Sequence, residues 1–138
     1  MPRTNYRISL LIIPLIIIDQ LVKYINLKYY PSAVSINKGV VFGFINNIYL
    51  VIILTFIGIV VLYYLFKNNN KNNIFPIVLI LAGAISNIID RFVYGGVIDY
   101  INLFNYSQLN IADIYIFIGV AVYLYWLIKN PAQKPIKK

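Results

Sequence analysis

The chain has 138 residues, 61% hydrophobic and 12% charged, with 12 Lys and Arg against four acids and a formal charge of +8. So much apolar surface exceeds what one water-soluble core of this size absorbs. With Cys 0 and His 0, disulfides, thiolate nucleophiles, Ser-His and Cys-His catalysis and histidine-ligated zinc are all excluded.

Four apolar runs follow one another along the chain, at residues 8–25, 48–66, 74–93 and 111–128. Each is near the ~17–25 residues a helix needs to cross hydrocarbon. The first has a basic start like a signal peptide, but Asp19 and Gln20 follow its apolar stretch where a small-residue cleavage site belongs, so it reads as a retained span. Between the first two runs, Asn37-Lys38-Gly39 is a turn-like triplet flanked by Val34, Ile36, Val40 and Phe42. This predicts a short β-like element, a hairpin or an edge strand, with an ordinary connecting loop as the alternative. The second and third runs are joined by a short polar Asn-rich link from Lys67 to Asn73, which makes them antiparallel neighbours. The third run is complete only if Asp90 to Val93 belong to it and its end points into protein. Gly95 and Gly96 then allow a tight turn leading back to Asp99. After the fourth run, Lys134 to Lys138 with Pro131 and Pro135 reads as a tail attracted to anionic lipid.

The predicted fold is an all-α membrane protein of one domain, residues 1–138, with four transmembrane helices and a small extracytoplasmic β-like element between spans 1 and 2. Arg3, Arg7, Lys67, Lys71, Lys129, Lys134, Lys137 and Lys138 fall on one side, and the other four basic residues on the opposite side. Positive charge favours the cytoplasm, so both termini and the Asn-rich link are expected inside and the two long connections outside. Basic clusters placed between apolar runs, rather than in one stripe, fit this topology and not nucleic-acid binding.

In that topology the four acids, Asp19, Asp90, Asp99 and Asp113, gather near the outer face. The first span is expected to end near Ile25, which puts Asp19 roughly 9 Å below its outer end. Carboxylates in a membrane usually face a cavity or a partner. Asp19 and Lys23 are i,i+4 neighbours and form a natural structural pair, so Asp19 reads equally as structural or functional. Asp90 and Arg91 are adjacent and do not face each other on a helix, so each needs another partner. Asp99 and Asp113 have no basic residue within four positions of either, and their natural partner is each other. Two carboxylates sharing a site do not both ionise easily, so one keeps a proton while the other acts as base. That is what activating a water and protonating a leaving amine requires. Asn87 and Asn110, beside Arg91 and Asp113 in sequence, are suited to satisfy the dyad's lone pairs. Core hydrogen bonding without substrate contact is the other reading of these amides.

Asn37-Lys38-Gly39-Val40-Val41-Phe42-Gly43, Ser86-Asn87-Ile88-Ile89-Asp90-Arg91, Val97-Ile98-Asp99-Tyr100 and Asn110-Ile111-Ala112-Asp113 occur in that order. With Asp19 in the first span, the chain resembles the lipoprotein signal peptidases over nearly its whole length. The resemblance implies that Asp99 and Asp113 are the catalytic pair. It also implies that Asp19, Asn37, Asn87, Arg91 and Asn110 brace the pair or contact substrate and peptide-antibiotic inhibitors, and that Asp90 is a supporting position. Gly39 belongs to the same motif as Asn37. Three departures stand out: Ser86 where Gly is usual, Tyr100 for Phe and Leu109 for Phe, all read as packing-sized changes. The implied substrate is a membrane-anchored preprotein with a diacylglyceryl-modified Cys, cut just before that Cys at the outer face of the bacterial cytoplasmic membrane. The enzyme is expected to work without metal or cofactor, as a monomer among membrane lipids. On the residues alone, a proton-coupled exporter and a non-enzymatic assembly protein remain rivals. The exporter predicts a mid-span carboxylate and often a repeat between halves, whereas the acids here gather at the rim and the halves show no repeat.

Overall fold

The surface of this protein is inverted relative to that of a soluble domain. Ile13 and Ile17 are 62% and 59% exposed, and Phe117 and Ile128 are 75% and 80% exposed, while Asp19 and Asp90 are 0% exposed. Apolar side chains outside and carboxylates inside are stable only where hydrocarbon is the solvent. The structure, a computed structural model, describes residues 10–39, 53, 56–58, 60, 74–104 and 107–129.

Three long helices carry the architecture: α1 (Ile12–Tyr29), α2 (Phe75–Tyr94) and α3 (Ile111–Lys129). Among the described residues, α2 and α3 are long and apolar enough to cross a membrane. The expected second span, residues 48–66, lies largely outside the described residues, as do the Asn-rich link and the basic tail; residues 53, 56–58 and 60 are helical.

The first helix is displaced by four residues from its expected bounds. Hydropathy falls at Asn26 and Lys28, but the helix continues through them: Asn26 Nδ2 donates to Val22 O at 2.9 Å, and Tyr30 N closes the last turn on Asn26 O at 2.8 Å. Lys28 runs its ammonium over the rings of Tyr24 and Tyr29, 5.7 and 5.3 Å from their centroids. Asp19 therefore lies ten residues before Tyr29, about 15 Å from the helix end and deeper than the expected 9 Å.

α2 is the central element, packed against both α1 and α3. It starts with a proline in its first turn and ends at Gly95, whose φ of 71° gives the left-handed cap that glycine adopts without strain. Small residues let α3 close on it. A Cβ on Gly83 would collide with the carbonyl of Ala112, and one on Gly119 would sit 2.7 Å from Pro76 O.

The fold is not purely helical. Strand β1 (Ser35–Asn37) pairs antiparallel with β2 (Val97–Asp99), and β3 (Ile101–Leu103) pairs antiparallel with β4 (Ser107–Leu109). The β-like element expected around Asn37 is thus an edge strand and not a local hairpin. Its partner lies 62 residues later, with Ser35 opposite Asp99 and Asn37 opposite Val97. Gly96 permits this approach, since a Cβ there would lie 2.7 Å from Ile36 Cγ2 and 2.9 Å from Asn37 O.

Candidate active site

Asp99 reaches the site as the last residue of β2, delivered by the Gly95-Gly96 turn, and is 2% exposed. Asp113 comes from the first turn of α3. Its position follows from the Asn-x-x-Asp spacing. Asn110 Oδ1 accepts from Asp113 N at 2.9 Å, and Asp113 Oδ2 accepts from Asn110 N at 3.3 Å, the reciprocal bonds of a capping box.

Asn110 also joins the two acids. Its Nδ2 donates to Asp99 Oδ1 at 2.7 Å and to Asn87 Oδ1 at 3.2 Å, so with Asp113 N on its oxygen the buried amide uses both donors and its acceptor. Asn87 Nδ2 donates to Asp113 Oδ1 at 2.8 Å. Asn37 Nδ2, from β1, donates to Asp99 Oδ2 at 3.2 Å, while its Oδ1 accepts from Gly39 N at 3.0 Å. Both acids are therefore held by neutral amides. Burial raises the Asp99 carboxyl from 3.8 to about 6 and the Asp113 charge adds to this, against the lowering effect of Asn37, Asn110 and Lys23.

The other two acids sit one layer deeper and are held by a cation. Lys23 Nζ lies 2.7 Å from Asp19 Oδ2 and 2.6 Å from Asp90 Oδ2, all three side chains being essentially unexposed. Asp90 thus pairs with Lys23 and not with adjacent Arg91, whose Nη1 donates to Asn87 O at 3.1 Å. The Asp19–Lys23 pair read from sequence is present and extends to a third member.

The structure brings Asn37, Asn87, Arg91, Asn110, Asp99 and Asp113 together and sets Asp19 and Asp90 beneath them. Three participants were not read as hydrogen-bonding members of the site from sequence. Gln20 Nε2 donates to Asp90 Oδ1 at 2.7 Å and to Ser86 Oγ at 2.9 Å, and Ser86 Oγ donates to Asp19 Oδ2 at 2.6 Å. Tyr100 Oη accepts from Ile111 N at 3.3 Å, at the start of α3; burial pushes this phenol up to about 12, so it stays protonated. Ser86 and Tyr100 are thus hydrogen-bonding members of the site, not merely changes of packing volume. The sequence signal for Gln20 was its place one residue after Asp19 and three before Lys23. The contacts themselves are 66 and 70 residues away.

Fold and site together define a membrane enzyme of the paired-carboxylate class. Residues 11–129 match the family described as signal peptidase (SPase) II. The chain is 33% identical over 144 residues to a lipoprotein signal peptidase of Thermodesulfovibrio yellowstonii, covering 91% of this chain and 97% of that one. It is 37% identical over 131 residues to one of a Sulfurovum species, covering 85% and 90%. It also superposes on a bacterial membrane enzyme solved by the in meso method at 2.3 Å resolution, with a TM-score of 0.72 and 31% identity, covering 94% of this chain and 93% of that one. A second such structure, at 1.9 Å, gives 0.70 and 30%, covering 88% and 93%. The chain belongs to the signal peptidase II family, and is an aspartic-type peptidase of the bacterial membrane.

Proposed function

We propose that the chain removes the signal peptide from prolipoproteins whose Cys carries a diacylglyceryl group, cutting the peptide bond just before that Cys, with Asp99 and Asp113 as the catalytic dyad. The observation that carries the pairing is Asn110, one buried amide bonded to both carboxyl groups. One carboxylate takes a proton from water, and the water oxygen attacks the scissile carbonyl. The protonated partner stabilises the tetrahedral intermediate and then protonates the departing amine. Asn37, Asn87 and Asn110 hold the two acids without neutralising them, which a cation would do.

Four spans, with both termini cytoplasmic and the dyad at the extracytoplasmic face, place this chemistry where a membrane-anchored preprotein presents its lipidated Cys. Lys28 among Tyr24 and Tyr29 at the end of α1, and Lys129 over Tyr125 at 5.0 Å at the end of α3, are the basic and aromatic pairs expected at opposite interfaces. Acyl chains reach the site laterally between helices. The test is cleavage of a diacylglyceryl-modified precursor peptide by detergent-purified protein. Wild type cuts before the lipidated Cys, and Asp99→Asn and Asp113→Asn do not. An intact peptide under conditions where a control peptidase cuts it would sink this reading and return attention to the exporter.

A further inference from the structure

Each acid bound to Lys23 also holds the backbone next to one member of the dyad. Asp19 Oδ1 accepts from Ala112 N at 2.9 Å, and Ala112 directly precedes Asp113. Asp90 Oδ2 accepts from Ile98 N at 3.3 Å, and Ile98 directly precedes Asp99. The third direction from the ammonium goes to Asn87 Oδ1 at 3.0 Å, the oxygen that Asn110 Nδ2 also reaches. With two donors on its oxygen, the Asn87 amide has one favourable orientation, and that orientation turns Nδ2 to Asp113.

We propose that Lys23 is a positioning residue for peptide cleavage: its ammonium fixes the spacing of Asp19 and Asp90, and through Ala112 N, Ile98 N and the Asn87 amide it sets the placement of Asp99 and Asp113. This rests on the reading of those two acids as the dyad. Three buried charges are a poor way merely to hold helices together, because apolar residues of similar volume do so as well or better. What the triad supplies is direction. Lys23 is 1% exposed and acts wholly through other residues. Positioning matters because a displacement of about 1 Å at the reacting groups costs on the order of 100-fold in rate.

The experiment uses the full chain in detergent, cleaving a diacylglyceryl-modified precursor peptide. Lys23→Met combined with Asp90→Asn removes one positive and one negative charge and leaves an acceptor for Ile98 N. The expected result is a wild-type helical spectrum with Tm lowered by the now unpaired Asp19, KM within about two-fold, and kcat per folded molecule lower by about ten-fold or more. The inflection that Asp99 contributes to the pH–rate profile, near about 6, moves upward, because Lys23 of α1 is lost while Arg91 of α2, Asp113 of α3 and Tyr100 keep their places around it. Lys23→Arg keeps the charge but changes the span between the two acids, so kcat falls by roughly three- to ten-fold with KM, Tm and inflection unchanged; this variant decides the matter if the double variant does not fold. Wild-type kcat in the Arg variant or in a folded double variant, or a loss that only tracks the folded fraction, overturns the proposal. Cleavage by Asp99→Asn or Asp113→Asn overturns the dyad instead, so the two failures are distinguishable.

Discussion

The two layers of the site use the same residue in opposite ways. In the deeper layer Asp19 and Asp90 share the Lys23 ammonium and also accept hydrogen bonds from Ser86, Gln20 and two backbone N–H groups. In the outer layer Asp99 and Asp113 receive hydrogen bonds from amide side chains and one backbone N–H. A cation fixes a carboxylate in its ionised form and makes it a structural part. An amide holds it just as firmly in space and leaves its proton free to come and go. With Asp99 and Asp113 as the proposed dyad, the partner, more than the acid, decides which aspartate does chemistry.

Substitutions that remove charge but keep shape sharpen this contrast. Asp99→Asn and Asp113→Asn are expected to lower kcat by about a thousand-fold or more with Tm little changed, measured by peptide cleavage beside thermal melts. Asp90→Asn breaks one of the two ion pairs of the buried Lys23, which keeps Asp19, and a hydrogen bond to a charged group is worth about 1.5–3 kcal/mol; detergent-phase unfolding should show it as a fall in Tm.

Titration gives the next effect in size. Because the Asp99 carboxyl rises from 3.8 to about 6 on folding, its contribution to stability is complete below the unfolded value and is lost as the pH rises through about 6. Wild type should therefore lose Tm relative to Asp99→Asn between about pH 4 and about pH 7. An equal change in both would place the titration elsewhere. The smallest change is Tyr100→Phe, which removes the acceptor for Ile111 N at the start of α3. About 0.5–1.5 kcal/mol of stability should go with it, at nearly unchanged KM.

The outer layer was the more legible in sequence. Asp99 and Asp113 stand apart from every basic residue, and Asn110-x-x-Asp113 is a capping spacing that local rules recognise. The Asp19–Lys23 pair was equally local. The link from Lys23 to Asp90 was not, because it joins positions 67 residues apart and depends on how α1 packs on α2. Pairing of β1 with β2 is likewise non-local. The β3–β4 hairpin escaped notice because residues 103–107 carry no Asn-Gly or Asp-Gly signal; the left-handed position at φ 50° is taken by Phe104. The end of α1 was misplaced because hydropathy marks where lipid stops, whereas helical hydrogen bonding continues to Tyr29.

Side-by-side kcat and Tm for the four variants Asp19→Asn, Asp90→Asn, Asp99→Asn and Asp113→Asn put the division between the layers to its sharpest trial. Asp99→Asn and Asp113→Asn should be folded and inactive, and Asp19→Asn and Asp90→Asn should melt well below wild type. If Asp19→Asn and Asp90→Asn melt like wild type, or if Asp99→Asn or Asp113→Asn still cleaves the lipidated peptide, the partner of each carboxylate does not determine its role.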